Sequence, residues 1–492
     1  MNQSDYDALV VGGYSRIPVT RTLLADTETP LSTFSKLCSS PYAFLFESVE
    51  GGEKWSRYSI VGLPATQRIA ITGATVSRYV GDDLVESYES QDPLAEVESL
   101  QSSVSSAPLS SLPVFHGGWV GYFSYDTVRF VEPKLVNINK PDEVGTPDIL
   151  LILAEEVVVF DNLRGTLTLI INSDASKEGA LLSATERLDE LEKALSEPAA
   201  ALDSFELGST DTSDIESRVT HTTDKATFES WVDRIKRYIL DGDVMQVVVS
   251  QRMSLPFSAS PLNLYRALRH LNPSPYLFFL DLDEFHVVGS SPEILVRSEQ
   301  GKITVRPIAG TIHRGTDEVE DRELASQLLN DEKERAEHLM LIDLGRNDIG
   351  RVSQPGSVQL TEKMVIEKYS HVMHIVSNVT GDAREDATAI DSLRATLPAG
   401  TLSGAPKISA MEIIDELEPM KRGVYGGAVG YLSWSGDMDT AIAIRTAVIK
   451  DGQLIVKAGA GVVADSEPES EWEETLNKAR AVLRAAAMVE AC

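Results

Sequence analysis

At 492 residues the chain is long enough for two or more domains' worth of core, and its 42% hydrophobic and 24% charged content is that of a soluble globular protein. The 75 acidic residues against 44 basic leave a net charge of −31. Such a surface repels nucleic-acid phosphates and anionic lipid, so neither nucleic acid nor membrane is expected as a partner. With only two cysteines, Cys38 and Cys492, a disulfide framework and a CxxC-type zinc site are excluded, and the expected compartment is the reducing cytoplasm. MNQSDYDALVVGG at the start has no basic region leading into a long apolar run, so no signal peptide is expected. No apolar stretch approaches the roughly 18 residues of a membrane span. An anionic substrate would need cations or a metal ion placed locally against the chain's own field.

Along the chain, residues 1–194 read as a first domain rich in strands such as YAFLFESV, RIAITG and DILLILAEEVVVF. Residues 195–223 are poor in large apolar side chains and dense in Ser, Thr, Asp, Glu and Ala, which reads as a linker or surface crossing. Residues 224–492 read as a second domain. FESWVDRIKRYILDGD predicts an amphipathic helix ending at Gly242, and DEVEDRELASQLLNDEKERAEHLMLIDLG predicts helix in one or two pieces. KITVRPI reads as a strand entering a Gly-Thr turn. VYGGAVGYLSWS, TAIAIRTAVIK and QLIVKAGAG read as three strands joined by GDMD and by the hairpin dipeptide Asp451-Gly452. Consecutive hairpins mean antiparallel pairing, hence an α+β fold. A last helix is expected from about Ser470, with Ser470 and Glu473 as a capping box and an apolar stripe of Trp472, Leu476, Ala479 and Leu483.

Three glycine-rich stretches fail as nucleotide sites. ALVVGG lacks a third glycine, GAGVVA has too little chain after it for a βαβ unit, and GTLSGAPK has the wrong glycine spacing for a P-loop. A glycine-rich turn of backbone N–H groups can still hold a carboxylate.

Arg445 lies in the apolar run AIAIRTAVI with Ala443 and Ala447 beside it, where a buried guanidinium needs either an internal carboxylate or a bound anion. Lys457 in the adjoining run, near the Gly459-Ala460-Gly461 turn, favours the anion. Glu337 on one predicted helix, and Glu471 and Glu474 on one face of another, are carboxylates of the kind a hard divalent cation takes. Each alone has the plainer role of complementing a helix dipole. His374 is a lone strand histidine, and by physics His371 competes with it. Thr401 and Tyr425 border glycine-rich turns and are ligand-contact candidates.

Taken together, SSPEILVR, RPIAGT, AEHLMLIDLGRNDIGRV, YSHVMHIVSNVTG, GTLSGAPKISAMEIIDELEP, RGVYGGAVGYLS and KAGAGVVADSEPESEWEETLNKARAVLRA resemble, in the same order, the motif series of the chorismate-utilising enzymes. The resemblance covers residues 228–489, and LFESVEGGEKWSRYSIVG extends it to the N-terminal half, where the chain is similar to the anthranilate-forming large subunits. It implies an antiparallel sandwich with helices outside. It implies Glu337 and Glu474 as Mg²⁺ ligands with Glu471 as a helper. Chorismate would be contacted by Arg445, Tyr425, Gly310, Thr311, Gly459, Ala460 and Gly461, with Lys457 as an added cation. Glu293 would be the general acid that protonates the departing ring hydroxyl, and His374 and Thr401 would share in the chemistry.

Within this family the nucleophile sets the product. Aminodeoxychorismate synthases carry a lysine where this chain has Ala309, and isochorismate and salicylate synthases carry a water-activating lysine where it has Gln246. With both absent, the implied nucleophile is ammonia and the products are anthranilate and pyruvate. Neither cysteine lies in a glycine-flanked nucleophile turn, so a separate glutamine amidotransferase subunit should supply the ammonia, in a heterodimer or heterotetramer. The N-terminal resemblance implies feedback by tryptophan at Glu47, Ser48, Pro275, Tyr276 and Leu277. Family members often have methionine at the last position, a swap that conserves volume. The rival readings are an aminochorismate synthase that stops before pyruvate loss and a catalytically silent chorismate- or tryptophan-binding regulator.

Overall fold

A computed structural model describes residues 1–48, 57–109, 112–136, 140–199, 201–205, 213–369 and 372–490. His371 and Cys492 lie outside these residues, as do parts of the 195–223 segment and of LFESVEGGEKWSRYSIVG. Among the described residues the strands form two twelve-stranded sheets, antiparallel throughout. The first runs from strand Arg16–Leu24 to strand Thr220–His221, and the second from Ile308–His313 to Asp83–Glu89.

The two sheets are packed face to face. Phe44, Val159, Phe278 and Val287 from the first meet Val120, Tyr122, Ile152 and Val429 from the second in one buried layer. Each such side chain contributes about 1.5–3 kcal/mol by leaving water. The outer face of the first sheet is covered by helices Ala180–Ser196, Pro261–Leu271 and Pro468–Glu490, through Leu188, Leu264 and Leu483 among others. Helices Pro93–Ser102, Glu332–Gly350 and Ala389–Thr396 cover the second through Val97, Ile342 and Leu393. This is the expected α+β sandwich with helices outside. No helix among the described residues is long and apolar enough to cross a membrane.

The helix expected to end at Gly242 spans Lys225–Asp241, with Gly242 at φ 86° as its left-handed cap. The long helical stretch is two helices, Glu318–Asn330 and Glu332–Gly350, broken at Asp331, whose carboxylate caps the second. The last helix begins near Ser470 as expected, at Pro468, where proline is well tolerated in a first turn; Ser470 is therefore already inside the helix and is not its cap.

Sequence patterning errs where the chain changes sheets. DILLILAEEVVVF is two strands, Ile149–Ala154 in the second sheet and Glu156–Asp161 in the first. TAIAIRTAVIK divides likewise into Met438–Ile442 and Thr446–Lys450, with Arg445 at φ 50° in the break. An apolar run buried on both faces carries no mark of which sheet it serves. For the same reason the boundary at 195–223 does not separate two sheets. Each sheet takes one contiguous half from residues 1–194 and the other from later residues, joined where Ala43–Glu47 pairs with Tyr276–Asp281 and where Gly118–Phe123 pairs with Ala428–Ser433.

Candidate active site

The site forms where two of these crossings meet. Glu293 lies between strand Phe285–Ser291 of the first sheet and strand Ile294–Glu299 of the second. Arg445 sits in the opposite crossing, and the two are tied by the Ile442 N–H donating to the Glu293 carbonyl at 3.0 Å. The Glu293 side chain is buried and accepts from the Thr401 hydroxyl at 3.2 Å. Burial pushes its carboxyl up to about 8, against the pull of Thr401 and Arg445. At neutral pH Glu293 is therefore a protonated acid with a hydroxyl as its neighbour. Glu293, Thr401 and Arg445 are all residues that the sequence motifs point to.

Arg445 is the complement. Its guanidinium has no hydrogen bond and no carboxylate in ion-pair range among the described residues, and burial lowers its pKa. The internal-pair alternative is thus not realised among the described residues, and a half-buried cation is left without a carboxylate in ion-pair range, as a bound anion would require. His374 stands across from it on strand Val372–Asp382, paired in register with Thr311. Its Nδ1 donates to the Gly310 carbonyl at 2.9 Å and lies 3.1 Å from the Thr311 hydroxyl. A carbonyl can only accept, so Nδ1 carries the proton and Nε2 keeps the lone pair. Burial holds the ring neutral, down to about 4.

Two turns expected from sequence are strand. Gly310 and Thr311 belong to strand Ile308–His313, where a bulge at Gly310, φ 67°, turns its carbonyl to His374. Gly459, Ala460 and Gly461 lie within strand Gln453–Val462, paired with Ser250, Val249 and Val248. Glycine is needed there for close approach. A Cβ on Gly459 would fall 2.8 Å from the Tyr425 hydroxyl oxygen, and one on Gly461 would fall 2.6 Å from Gln246 Nε2. Tyr425 and Gln246 thereby border one flat glycine floor.

Carboxylates from the first two turns of helices Glu332–Gly350 and Pro468–Glu490 gather beside this floor. Gln246 Nε2 donates to Glu337 at 3.1 Å, while the buried Gln246 amide oxygen has no partner. Glu474 pairs with Lys478 at 2.6 Å, and Lys478 also donates to the Gly459 carbonyl at 3.0 Å. Glu471 is 9% exposed, burial pushes its carboxyl up, and its Oε2 is buried without a partner. Burial also raises Glu334, with repulsion from Glu337 and Glu474 adding to it. Among the described residues no three acidic, histidine or cysteine side chains are grouped closely enough to chelate an ion unaided. Orphaned carboxylate oxygen facing mutually repelling carboxylates does suit a hard cation that takes most of its ligands from water and substrate. Lys478 and Glu334 were not anticipated from sequence; their i, i+4 and i, i+3 spacing from Glu474 and Glu337 was the available signal.

Lys457 is not part of this group. Its amine donates to the Lys421 carbonyl at 2.7 Å, in a small void of about 30 Å³ shared with Arg252, Lys421 and Arg422. Burial lowers it to about 8.

Glu47, Ser48, Pro275, Tyr276 and Leu277 all line a different cavity, of about 350 Å³, between the two sheets. Phe46, Tyr58, Phe115 and Tyr431 supply aromatic walls, with Phe115 and Tyr431 centroids 4.5 Å apart. Arg297, Glu299 and Asp439 supply both signs of charge. Tyr276 donates to Asp439 at 2.9 Å and accepts from Arg297 at 3.0 Å. The volume and the mixed lining suit a small molecule with an aromatic body and a zwitterionic end.

Residues 43–484 match the chorismate binding enzyme family. The chain is 56% identical over 490 residues to anthranilate synthase component 1 of Pseudomonas putida, covering 100% of this chain and 99% of that one. It is 48% identical over 488 residues to the protein of that name from Aquifex aeolicus, covering 97% and 96%. Among solved structures, anthranilate synthase component I from Streptococcus pneumoniae superposes with a TM-score of 0.75 at 39% identity, over 88% of this chain and 95% of that one. The menaquinone-specific isochorismate synthase from Escherichia coli shares the fold, with a TM-score of 0.70 at 20% identity over 98% and 99%.

Proposed function

Since the chain belongs to the chorismate binding enzyme family, we propose that it converts chorismate and ammonia to anthranilate and pyruvate, the first step of tryptophan biosynthesis, in the cytoplasm. The observation that carries this reading is full-length identity of 48–56% to anthranilate synthase component 1 from several bacteria. Ala309 and Gln246 support it, because neither position offers a lysine amine or an amine that activates water.

The chain's own residues then divide the work. Arg445 and the glycine floor hold the substrate's carboxylates, and Tyr425 packs beside the ring. Glu293 gives its proton to the ring hydroxyl at C4, which leaves as water while ammonia adds at C2. Thr401 orients the Glu293 carboxyl. Pyruvate elimination then removes the proton at C2, and neutral His374, with Nδ1 fixed on Gly310, offers Nε2 as an acceptor. Glu337, Glu474 and Glu471 would hold Mg²⁺, which when bound offsets the negative charge of the ring carboxylate.

Ammonia comes from a partner subunit that hydrolyses glutamine. The one described cysteine, Cys38, is partly covered, and burial pushes its thiol far up, so it is no nucleophile. The purified chain should therefore make anthranilate from ammonium salts and none from glutamine. Glutamine-dependent turnover by the chain alone, followed by anthranilate fluorescence, would contradict this.

The cavity lined by Ser48 and Pro275–Leu277 is the proposed tryptophan site. Ser48→Phe should fill it, raising the tryptophan concentration for half-inhibition at least tenfold with little change in uninhibited kcat. An unchanged inhibition curve would remove the assignment. The physical route to the active site is short: Leu277 pairs with Ser290, whose N–H donates to the Arg445 carbonyl at 3.2 Å.

A further inference from the structure

Resting on that reading of the reaction, we infer that Arg422 is a positioning residue, a single buried guanidinium that sets Thr401, the glycine floor and Tyr425 relative to one another. Arg422 is 4% exposed. Its Nη1 donates to the Leu402 carbonyl at 2.6 Å, one residue beyond Thr401. Its Nη2 donates to the Val248 carbonyl at 2.7 Å, and Val248 is the register partner of Gly461. Its Nε donates to Glu418 at 3.0 Å. Its Cζ lies 4.5 Å from the Tyr125 ring centre and 5.8 Å from that of Tyr425.

Glu418 completes the brace. Its Oε1 accepts from both the backbone N–H and the hydroxyl of Ser250, at 2.8 and 2.9 Å, and Ser250 is the register partner of Gly459. Burial opposes both charges, and the attraction between them outweighs it, keeping Arg422 cationic and Glu418 anionic. A buried ion pair that served packing alone would need only each other. This one ends on two backbone carbonyls belonging to separate segments of the site. Only a planar fork of five donors can satisfy a carboxylate and two divergent carbonyls together; an ammonium at the end of a flexible stem cannot.

The consequence reaches Glu293 through Thr401. The Thr401 hydroxyl favours the ionised form of Glu293, so freeing Leu402 should weaken that bond and lift the pH at which the acid loses its proton. Arg422→Lys should lower kcat about 10²-fold, the loss expected of a displacement near 1 Å. Its alkaline limb of activity should move to higher pH, and Thr401→Val should move it the same way. The double variant should show no further movement, since both changes break one connection. Loss of packing alone would reduce the folded fraction and leave the limb where it is.

The test measures kcat, chorismate KM and the pH profile of the purified full chain with saturating ammonium and Mg²⁺, with circular dichroism as the fold check. Wild-type kcat and an unmoved limb in Arg422→Lys would overturn the inference. Should that variant not fold, Glu418→Gln loosens the brace while keeping the guanidinium in place. A fall in kcat with the same upward movement supports the inference, and unchanged kinetics overturns it. A wild-type chain that makes no anthranilate would refute the proposed reaction instead, whatever the variants do.

Discussion

Glu293→Gln should lower kcat by about 10²- to 10⁴-fold, some 2.7–5.5 kcal/mol of barrier, while chorismate binds nearly as before. The amide keeps the size of the side chain and its ability to accept from Thr401, so the fold has no reason to change. It cannot deliver a proton. In the wild-type chain the acid is held protonated by burial, with its carboxyl at about 8. The sign of the pH dependence follows: the active, protonated form prevails below that value, so activity should fall as pH rises through about 8. In Glu293→Gln that alkaline limb should vanish along with most of the rate. A variant with near-normal kcat, or one whose residual activity still fell with the same limb, would take Glu293 out of the reaction.

Ala309→Lys should abolish most anthranilate formation and leave chorismate binding. Ala309 is half-buried on strand Ile308–His313, opposite Ile375 and next to the bulge that positions His374. A four-carbon stem there obstructs the approach of ammonia to C2. Its terminal amine would stand where the nucleophile belongs, and burial there would lower its pKa and increase the neutral fraction. That amine can attack C2 as the C4 hydroxyl leaves as water, joining Nζ to the ring and retaining the enolpyruvyl group. Intact-protein mass spectrometry should then show a species heavier by chorismate less water. Undiminished anthranilate synthesis in this variant would mean that alanine at 309 has no bearing on the nucleophile.

How much of this was legible in the sequence differs between fold and site. Hairpin signals such as Asp451-Gly452 and the cap at Gly242 are local, and local chemistry is what a sequence displays. The assignment of strands to sheets is not local. Nothing in AIAIRTAVI marks that Ile442 and Thr446 serve different sheets, yet the break between them is what leaves Arg445 unpaired beside Glu293. The site residues are legible through motif order, and the geometry divides them. Glu293, Thr401, His374, Arg445 and Tyr425 converge, whereas Lys457, two positions from Gly459 along one strand, turns to the Lys421 carbonyl. Arg422 carries no local signal, because a Lys-Arg pair before a glycine is common as text; its importance lies in two carbonyls that come from distant parts of the chain.

The central claim is tested most directly by incubating the purified chain with chorismate, Mg²⁺ and an ammonium salt, then measuring anthranilate by fluorescence and pyruvate by a coupled reduction in the same sample. The account predicts both products in equal amounts, and their loss together in Glu293→Gln. Aminated chorismate accumulating without pyruvate, or no consumption of chorismate at all, would contradict it.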